Sequence, residues 1–555
     1  MNSRSPRGAV ASESQVASGI GAHILQEGGS AVDAAIAMTL AVGTLCSDMS
    51  GIGGGGFALI RTPEGTCESL NFRPAAPAAV TSKMYLDKPG VSAVGGLAVA
   101  VPGELRGFEA MHKKYGKLPW SRLFEPSVKL ARDGFPLTED MQNVVNIKTR
   151  AAGSSDPKSS WVYEHPTLSQ WLTKDGELLP TGTTLKRPAY AQTLETIANE
   201  GADAFYSGAI AQSIVEAVQA EGGVMTLDDM RAYEARSVEP LSIQYKGHKV
   251  TSVGAPASGA VVLAALSILD NFKDVDGPGS VKDAHRMTES LKHAFAHRTL
   301  LGDPMFVPGL DAAQREFVSP ARGRMLRTKI DDNNVLAPSE YRAEGFETIK
   351  TDGRIEVKMD NGTSHVVAAD ASGLVVSLTT TITLYWGSRI IVPSSGIVLN
   401  DSMEDFSVEG VSNFWGYLPT PANYIEGNKR PLSSTSPFII EDAQGRFRYA
   451  GGAAGGSRIV SCNVQHVRNV LDYAMDPTAA LAHPRLHDQI APQETHLEES
   501  WDKETAAELE RLGHKVVWLA VAPSTACGVS HDPETGEWKA AGEPRKKMAA
   551  GAVAW

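Results

Sequence analysis

Residues Asp360–His365 read Asp-Asn-Gly-Thr-Ser-His and lead into a run of β-type residues, Ser364–Ala369. A Gly-Thr pair ahead of a strand is what a chain needs if it is to cut itself and use the new N-terminus as a nucleophile. The Thr363 hydroxyl must reach the carbonyl just before it, and Gly362 has no Cβ to block the approach. The freed α-amine of Thr363 would then take the hydroxyl proton. The alternative is an ordinary turn before a strand, because Gly-Thr is a common dipeptide.

Composition excludes several classes of protein. A chain of 555 residues is too long for one simple core and suggests at least two intimate lobes. The net charge of −12 argues against nucleic acid and against an anionic membrane surface as partners. The four cysteines are far apart without Cys-x-x-Cys spacing, so neither a zinc site nor a disulfide framework is expected.

No apolar targeting segment follows Met1-Asn-Ser-Arg-Ser-Pro-Arg, and no run of about 18 apolar residues occurs. We therefore expect no membrane segment and no signal peptide in this chain. The expected protein is soluble, either cytoplasmic or secreted with its signal removed.

The residue pattern changes at Thr363. Before it, helical spacing of apolar residues dominates, including one long helix over Ala204–Ala220. Residues 331–362 are polar and charged, which is typical of an exposed, mobile segment. After it, short β-type runs dominate. Strands in one half and helices in the other, without βαβ alternation, predict stacked sheets covered by helices.

Two groups after Thr363 carry possible chemistry. Thr379-Thr380-Thr381 lies on a strand that a turn at Asp370–Gly373 would pair with the strand of Thr363, so that a threonine hydroxyl reaches Thr363. Lys429-Arg430-Pro-Leu-Ser-Ser places two hydroxyls after a basic pair that can hold a carboxylate. The alternatives are a solvated Thr-rich strand and a surface turn.

A glycine-rich segment, Gly451–Arg458, precedes a helix. Consecutive glycines can direct two backbone N–H groups at one oxyanion. A phosphate cradle is disfavoured because no Gly-Lys-Ser/Thr follows. His293 and His297 have the i, i+4 spacing of a metal pair, but the Glu of His-Glu-x-x-His is missing, so no metal is expected.

Together these segments resemble the γ-glutamyltranspeptidase family over almost the whole chain. The motifs that carry the resemblance are Gly53-Gly54-Gly55-Gly56-Phe57, Phe72-Arg73, Gly362-Thr363-Ser364-His365, Met403-Glu404-Asp405-Phe406-Ser407, Lys429–Ser434 and Gly455-Gly456-Ser457-Arg458. The resemblance implies an α+β fold, an αββα sandwich of stacked antiparallel sheets of the N-terminal nucleophile hydrolase type. It also implies self-cleavage into a heavy part, 1–362, and a light part, 363–555, that remain paired as a heterodimer.

The resemblance implies a role for each matching site residue. In the catalytic machinery, Thr363 is the nucleophile, Thr381 activates it, and Gly455 and Gly456 form the oxyanion hole. In the substrate pocket, Arg73 pairs with the α-carboxylate, Asp405 holds the α-ammonium, and Ser433 and Ser434 contact the γ-glutamyl group. Residues 406–427 have the length of a lid, with Trp415 near the position of a gating aromatic.

Two pocket positions depart from the family pattern. Thr383 stands where the family usually has Asn, and Ser402 stands where it usually has Glu or Gln; both usual residues help to bind the substrate α-ammonium. Losing a hydrogen bond to a charged group costs about 1.5–3 kcal/mol. Amine recognition is therefore expected to be altered, while the acyl-transfer machinery is complete.

Three functions follow from this pattern. The first is γ-glutamyl transfer or hydrolysis of glutathione or a γ-glutamyl conjugate, with an amino acid, a dipeptide or water as acceptor and no cofactor or metal. The second is a divergent homologue that cleaves a different acyl or C–C bond in an amino-acid-like substrate of a specialised biosynthetic pathway. The third is an unprocessed, inactive homologue that serves as a binding protein.

Overall fold

A computed structural model describes residues 8–86, 88, 90–274, 276–344, 362–408, 420–520, 524–546 and 550–555. Residues 409–419 of the expected lid, including Trp415, and residues 345–361 of the expected mobile segment lie outside these described residues. In the described part of that segment, residues 331–344, most side chains are exposed, as expected; Tyr341 is the exception, since it is buried and donates a hydrogen bond to Glu289 Oε2.

The described strands and helices are as follows. The strands are β1 Gly8–Ser12, β2 Gly55–Arg61, β3 Cys67–Asn71, β4 Phe135–Pro136, β5 Thr173–Lys174, β6 Glu177–Leu178, β7 Thr184–Leu185, β8 Arg236–Val238, β9 Leu241–Tyr245, β10 His248–Ser252, β11 Gly362–Asp370, β12 Val375–Thr383, β13 Phe438–Glu441, β14 Phe447–Ala454, β15 Leu486–His487, β16 Thr495–Glu498, β17 Val516–Leu519, β18 Thr525–Asp532, β19 Glu537–Ala541 and β20 Gly551–Ala554. The α-helices are α1 Gln15–Gln26, α2 Ala31–Leu45, α3 Glu104–Tyr115, α4 Trp120–Asp133, α5 Glu139–Asn143, α6 Pro166–Leu172, α7 Pro188–Glu200, α8 Asp203–Ser207, α9 Ala209–Ala220, α10 Leu227–Ala232, α11 Gly259–Leu269, α12 Val281–Arg298, α13 Leu310–Phe317, α14 Pro320–Arg327, α15 Arg458–Leu471, α16 Pro477–Ala482 and α17 Lys503–Leu512.

Two antiparallel sheets form the centre of the molecule. In the described part of the chain one sheet has the order β20-β1-β11-β12-β2-β3-β8, and the other has the order β19-β18-β14-β13-β10-β9. Apolar side chains of both sheets, among them Val367 of β11 and Ala450 of β14, form one cluster between them. Helices such as α2 pack on the outer face of the first sheet, and α11 and α15 pack on the second. The predicted αββα sandwich is confirmed.

The two halves of the chain interleave within the sheets. Strand β11 pairs with β1 on one side and with β12 on the other, and β12 also pairs with β2. The expectation that strands belong to one half and helices to the other is therefore wrong. Every residue of β11 and β12 is buried, because both faces of these central strands are covered.

Local sequence explains the elements that frame the site. Ser30 and Asp33 form a reciprocal capping box at the start of α2, and the Ala31 N–H donates to Asp370 Oδ2, at the end of β11, at 2.8 Å. The β11–β12 hairpin turns at Gly373, where φ is +87°, a conformation that glycine adopts without strain. The helix expected over Ala204–Ala220 is interrupted at Gly208, whose extended backbone separates α8 from α9.

Candidate functional site

The start of the β11–β12 hairpin brings Thr363 beside Thr381. The two residues are cross-strand partners, with an irregularity in the ladder between Gly362 and Thr363. The Thr363 hydroxyl donates to Thr381 Oγ1 at 3.1 Å. The Thr381 hydroxyl in turn donates to the carbonyl oxygen of Gly362. The Gly362–Thr363 bond thus has the Thr363 hydroxyl held by a hydrogen bond beside it, and its carbonyl accepts a hydrogen bond from Thr381.

A third group fixes the direction of these hydrogen bonds. The backbone N–H of Thr383 donates to Thr381 Oγ1 at 2.8 Å. Because Thr381 Oγ1 accepts from both Thr363 and Thr383, its single proton is directed to Gly362. All three threonines are buried, which strengthens these interactions by excluding water.

The backbone of Thr383 is strained in this arrangement. Its φ is +84°, a region that β-branched residues rarely occupy and that costs about 1–3 kcal/mol. Its Oγ1 lies 2.9 Å from Ser402 Oγ, so the two residues that depart from the family pattern bond to each other. Asn400 positions Ser402 by accepting its backbone N–H at 2.9 Å.

Arg73 and Asp405 form a buried ion pair, with relative exposures of 0% and 6%. The family resemblance implies that they bind the two charged groups of an amino-acid substrate. In this structure they neutralise each other through Arg73 Nη2 and Asp405 Oδ2. A zwitterionic head group can insert into such a pair without adding net charge to the buried site, since it brings one charge of each sign.

Ser433 and Ser434 contact a different set of residues. The Ser433 N–H donates to Pro256 O at 2.7 Å, and Ser258 Oγ donates to Ser433 O at 2.6 Å. The Ser434 hydroxyl accepts from Arg298 Nη2 at 3.2 Å. These contacts fix the segment to the beginning of α11 and the end of α12. The described hydrogen bonds do not connect it to Thr363.

Gly455 and Gly456 form the bend between β14 and α15. Their φ angles are +124° and +63°, values that favour glycine over any residue with a Cβ. Ser457, at the N-cap of α15, makes no side-chain capping bond, although its hydroxyl is buried. The bend therefore places backbone amides at the positive end of a 14-residue helix.

Two buried acidic residues near the nucleophile strand carried no signal in the sequence. Glu13 accepts the His365 N–H at 3.1 Å and pairs with Lys546 Nζ at 3.0 Å. The carboxylate oxygens of Asp48 have no hydrogen-bond partner among the described residues, and burial raises the Asp48 pKa to about 7. The backbone carbonyl of Asp48 accepts the Trp386 N–H at 2.9 Å, so this turn supports the chain that follows Thr383.

Three possible metal ligands already form hydrogen bonds within the protein. His285, Glu289 and His514 have ligand atoms within 4.8 Å of one another. His285 Nδ1 is hydrogen-bonded to His514 Nε2 at 2.8 Å, and Glu289 binds Lys292 Nζ at 3.1 Å. Burial lowers the pKa values of His293 and His297 to about 3 and about 4, so both are neutral core residues.

Within the described residues no helix is long and apolar enough to cross a membrane.

Comparisons with known proteins agree with this geometry. The family model described as gamma-glutamyltranspeptidase matches residues 17–553. A glutathione hydrolase proenzyme of Arthroderma benhamiae is 41% identical over 98% of this chain and 92% of the relative. One from Escherichia coli is 35% identical over 98% of this chain and 91% of the relative.

Solved structures show the same relationship. A cephalosporin acylase from Bacillus halodurans has a TM-score of 0.85 at 25% identity, covering 99% of this chain and 96% of the acylase. A Helicobacter pylori gamma-glutamyltranspeptidase chain has a TM-score of 0.55 at 29% identity, over 60% of this chain and 95% of that one. The chain belongs to the γ-glutamyltranspeptidase family.

Proposed function

We propose that this protein is a self-processing γ-glutamyltransferase and glutathione hydrolase with Thr363 as its nucleophile. The observation that supports it best is the chain of hydrogen bonds from Thr363 through Thr381 to the Gly362 carbonyl. Curated relatives named glutathione hydrolase, at 35–41% identity over nearly the full chain, support the substrate class.

The first step is cleavage of the Gly362–Thr363 bond. Thr363 Oγ1 attacks the Gly362 carbonyl, and the Thr381 hydroxyl stabilises the negative charge that develops on the carbonyl oxygen. The Thr363 nitrogen leaves as an amine, which produces an ester that water hydrolyses. The pieces 1–362 and 363–555 then stay together, because β11 and β12 remain between β1 and β2 in one sheet.

The second step is acyl transfer on the new N-terminus. The α-amine of Thr363 takes the hydroxyl proton while Oγ1 attacks the γ-carbonyl of the donor. The N–H groups of Gly455 and Gly456 hold the oxyanion, and Arg73 pairs with the donor α-carboxylate. Water or the amine of an amino acid or dipeptide then attacks the γ-glutamyl ester, so no cofactor is needed.

A different acyl donor is the second candidate. The mutual hydrogen bond of Thr383 and Ser402 leaves the Arg73–Asp405 pair as the charged part of the pocket. The structural similarity to a protein named cephalosporin acylase supports an acyl donor other than a γ-glutamyl compound.

Two substrates separate these candidates. Purified protein that has been cut at Thr363 is tested with γ-glutamyl anilide and with glutaryl anilide, which lacks the α-amine. Turnover of the γ-glutamyl compound with at least a tenfold higher kcat/KM supports the first function, and the reverse ratio supports the second. A variant Thr363→Ala should remain uncut and inactive with both.

A further inference from the structure

His365 lies two residues after Thr363 on β11 and is hydrogen-bonded through both nitrogens of its ring. Its relative exposure is 2%. Its Nδ1 lies 2.9 Å from Thr379 Oγ1, and its Nε2 lies 3.4 Å from Ser377 Oγ. Both hydroxyls belong to β12, the strand that carries Thr381. This histidine has no role in the two steps of the proposed mechanism, although it lies on the nucleophile strand.

The direction of these hydrogen bonds follows from a carbonyl group of the second sheet. The Ser377 hydroxyl donates its single proton to Gly451 O of β14 at 3.0 Å, so it can only accept from the imidazole. His365 Nε2 therefore carries the ring proton, and Nδ1 accepts from the Thr379 hydroxyl. Burial lowers the pKa of His365 to about 3, which keeps the ring neutral. The hydrogen bonds thus connect the hairpin of the nucleophile to the second sheet.

The imidazole of His365 also determines how closely β14 approaches β11. A Cβ on Gly452 would lie 2.3 Å from His365 Cε1, so the ring lies directly against the backbone of β14. A Cβ on Gly451 would lie 3.0 Å from Cε1 of His466, a buried residue of α15. Cys527, the partner of Gly452 on β18, donates its thiol to His365 O at 3.5 Å. The two glycines of β14 therefore lie between two buried imidazole rings.

This contact lies between the nucleophile and the glycine bend. Ser377 contacts the first of the two glycines of β14, and His365 contacts the second. Ser377 is nearer to the turn of the β11–β12 hairpin, whereas His365 is nearer to its open end, where Thr363 lies. β14 therefore runs toward the open end of the hairpin, and the Gly455-Gly456 bend follows at the end of the strand.

We propose that His365 is a positioning residue for acyl transfer, which sets the separation between the nucleophile on the first sheet and the oxyanion hole that follows the second. This inference rests on the proposed function. Thr363 lies on β11 and Arg73 follows β3, and both strands belong to the first sheet, whereas Gly455 and Gly456 follow β14 of the second. A shift between the sheets would therefore weaken stabilisation of the transition state more than binding of the donor.

Self-cleavage does not depend on this separation. The hydroxyls of Thr363 and Thr381 and the carbonyl of Gly362 all lie within the β11–β12 hairpin. Loss of the His365 ring should therefore separate the two reactions of one nucleophile, since acyl transfer becomes slower while the chain still cuts itself. A histidine that served only the stability of the fold would affect both reactions.

The first test measures self-cleavage and steady-state kinetics of His365→Ala, with whichever of the two anilides the wild type turns over faster. Misplacing a catalytic group by about 1 Å costs about 100-fold in rate. We expect kcat to fall at least about tenfold, while KM and the rate of self-cleavage change less than about threefold. His365→Gln, whose amide can donate to Ser377 in place of Nε2, should recover part of kcat. The control His514→Gln removes a buried histidine that bonds to His285, and all three quantities should be unchanged.

Gly452→Ala tests the same contact from the opposite strand. The new methyl group would lie 2.3 Å from the His365 ring, more than about 1 Å closer than two carbon atoms normally approach, so β14 must move away from β11. We expect the same fall in kcat with unchanged self-cleavage. The double variant Gly452→Ala/His365→Ala should be no slower than His365→Ala alone, because the clash requires the ring.

Slower acyl transfer with normal self-cleavage in both single variants, and no further loss in the double variant, supports the positioning role. Equal losses in the two reactions, a higher KM at unchanged kcat, unchanged kinetics, or losses that multiply in the double variant would overturn it. If His365→Ala does not fold, the kinetics of His365→Gln and Gly452→Ala decide by the same criteria. If the wild-type protein is not cut, or is cut and turns over neither anilide, the proposed function itself fails, and this is seen before any variant is made.

Discussion

Replacing Thr381 by valine tests how the chain cuts itself. Thr381→Val keeps the shape of the side chain and removes one hydroxyl. That hydroxyl donates to the Gly362 carbonyl, accepts from Thr363 Oγ1 at 3.1 Å and accepts the Thr383 N–H at 2.8 Å. The variant therefore loses the donor that stabilises the oxyanion of self-cleavage and the group that orients the nucleophile.

The expected effect is large. Removing one donor to a developing oxyanion costs about 100- to 1,000-fold in rate. The Thr383 N–H is also left buried without its acceptor, which costs about 1–3 kcal/mol of folding free energy. We expect uncut Thr381→Val to accumulate and to be cleaved at least about 100 times more slowly than wild type.

The assay follows the disappearance of the uncut chain on denaturing gels after synthesis is stopped. Thr379→Val is the matched control, because Thr379 lies two residues away on the same strand and its hydroxyl contacts His365 at 2.9 Å instead of Gly362. Cleavage of Thr381→Val at the wild-type rate, or equal slowing in both variants, would refute the reasoning.

Three further predictions follow from buried groups of the site. Thr383→Asn should raise the free energy of unfolding by about 1 kcal/mol, because Asn tolerates a φ of +84° better than a β-branched residue does. A lower denaturant midpoint in urea unfolding would show that the backbone of Thr383 is not strained. Arg73→Lys keeps the charge but loses the guanidinium fork, so KM for a γ-glutamyl donor should rise about tenfold while the rate of self-cleavage is unchanged. If donor binding and self-cleavage are weakened equally, Arg73 does not act specifically in carboxylate binding. Burial raises the Asp48 pKa from 3.8 to about 7, so the folded protein favours the protonated carboxyl group. The free energy of unfolding should therefore fall by on the order of 4 kcal/mol as the pH rises from about 4 to 7. Asp48→Asn should flatten that part of the stability profile measured by urea unfolding, whereas an unchanged slope would assign the pH dependence to other groups.

Sequence reasoning located the hairpin because its signals are local. The threonine run and the turn at Asp370–Gly373 fix the register of β12 against β11, which sets Thr363 opposite Thr381. The glycine bend before α15 was likewise predicted from adjacent residues. The order of the strands was not, because β1 and β2 join β11 and β12 through contacts across more than 300 residues of chain that no local pattern records.

The electrostatic state of the site also depends on tertiary contacts. Nothing in the sequence around Glu13 or Asp48 distinguishes a buried charge from a solvated one; only the packing of distant segments removes them from water. The pairing of Arg73 with Asp405 is of the same kind, since 332 positions separate the two residues. The strain at Thr383 arises where the β12 ladder ends, and a threonine at that position does not by itself indicate a positive φ.

The most direct test of the central claim is the intact mass and N-terminal sequence of the purified protein before and after mixing with a γ-glutamyl donor. The account predicts two fragments, one beginning at Thr363, and a transient gain of one γ-glutamyl group on that fragment alone. A single chain of 59.0 kDa, or a γ-glutamyl group attached to any residue other than Thr363, would contradict it.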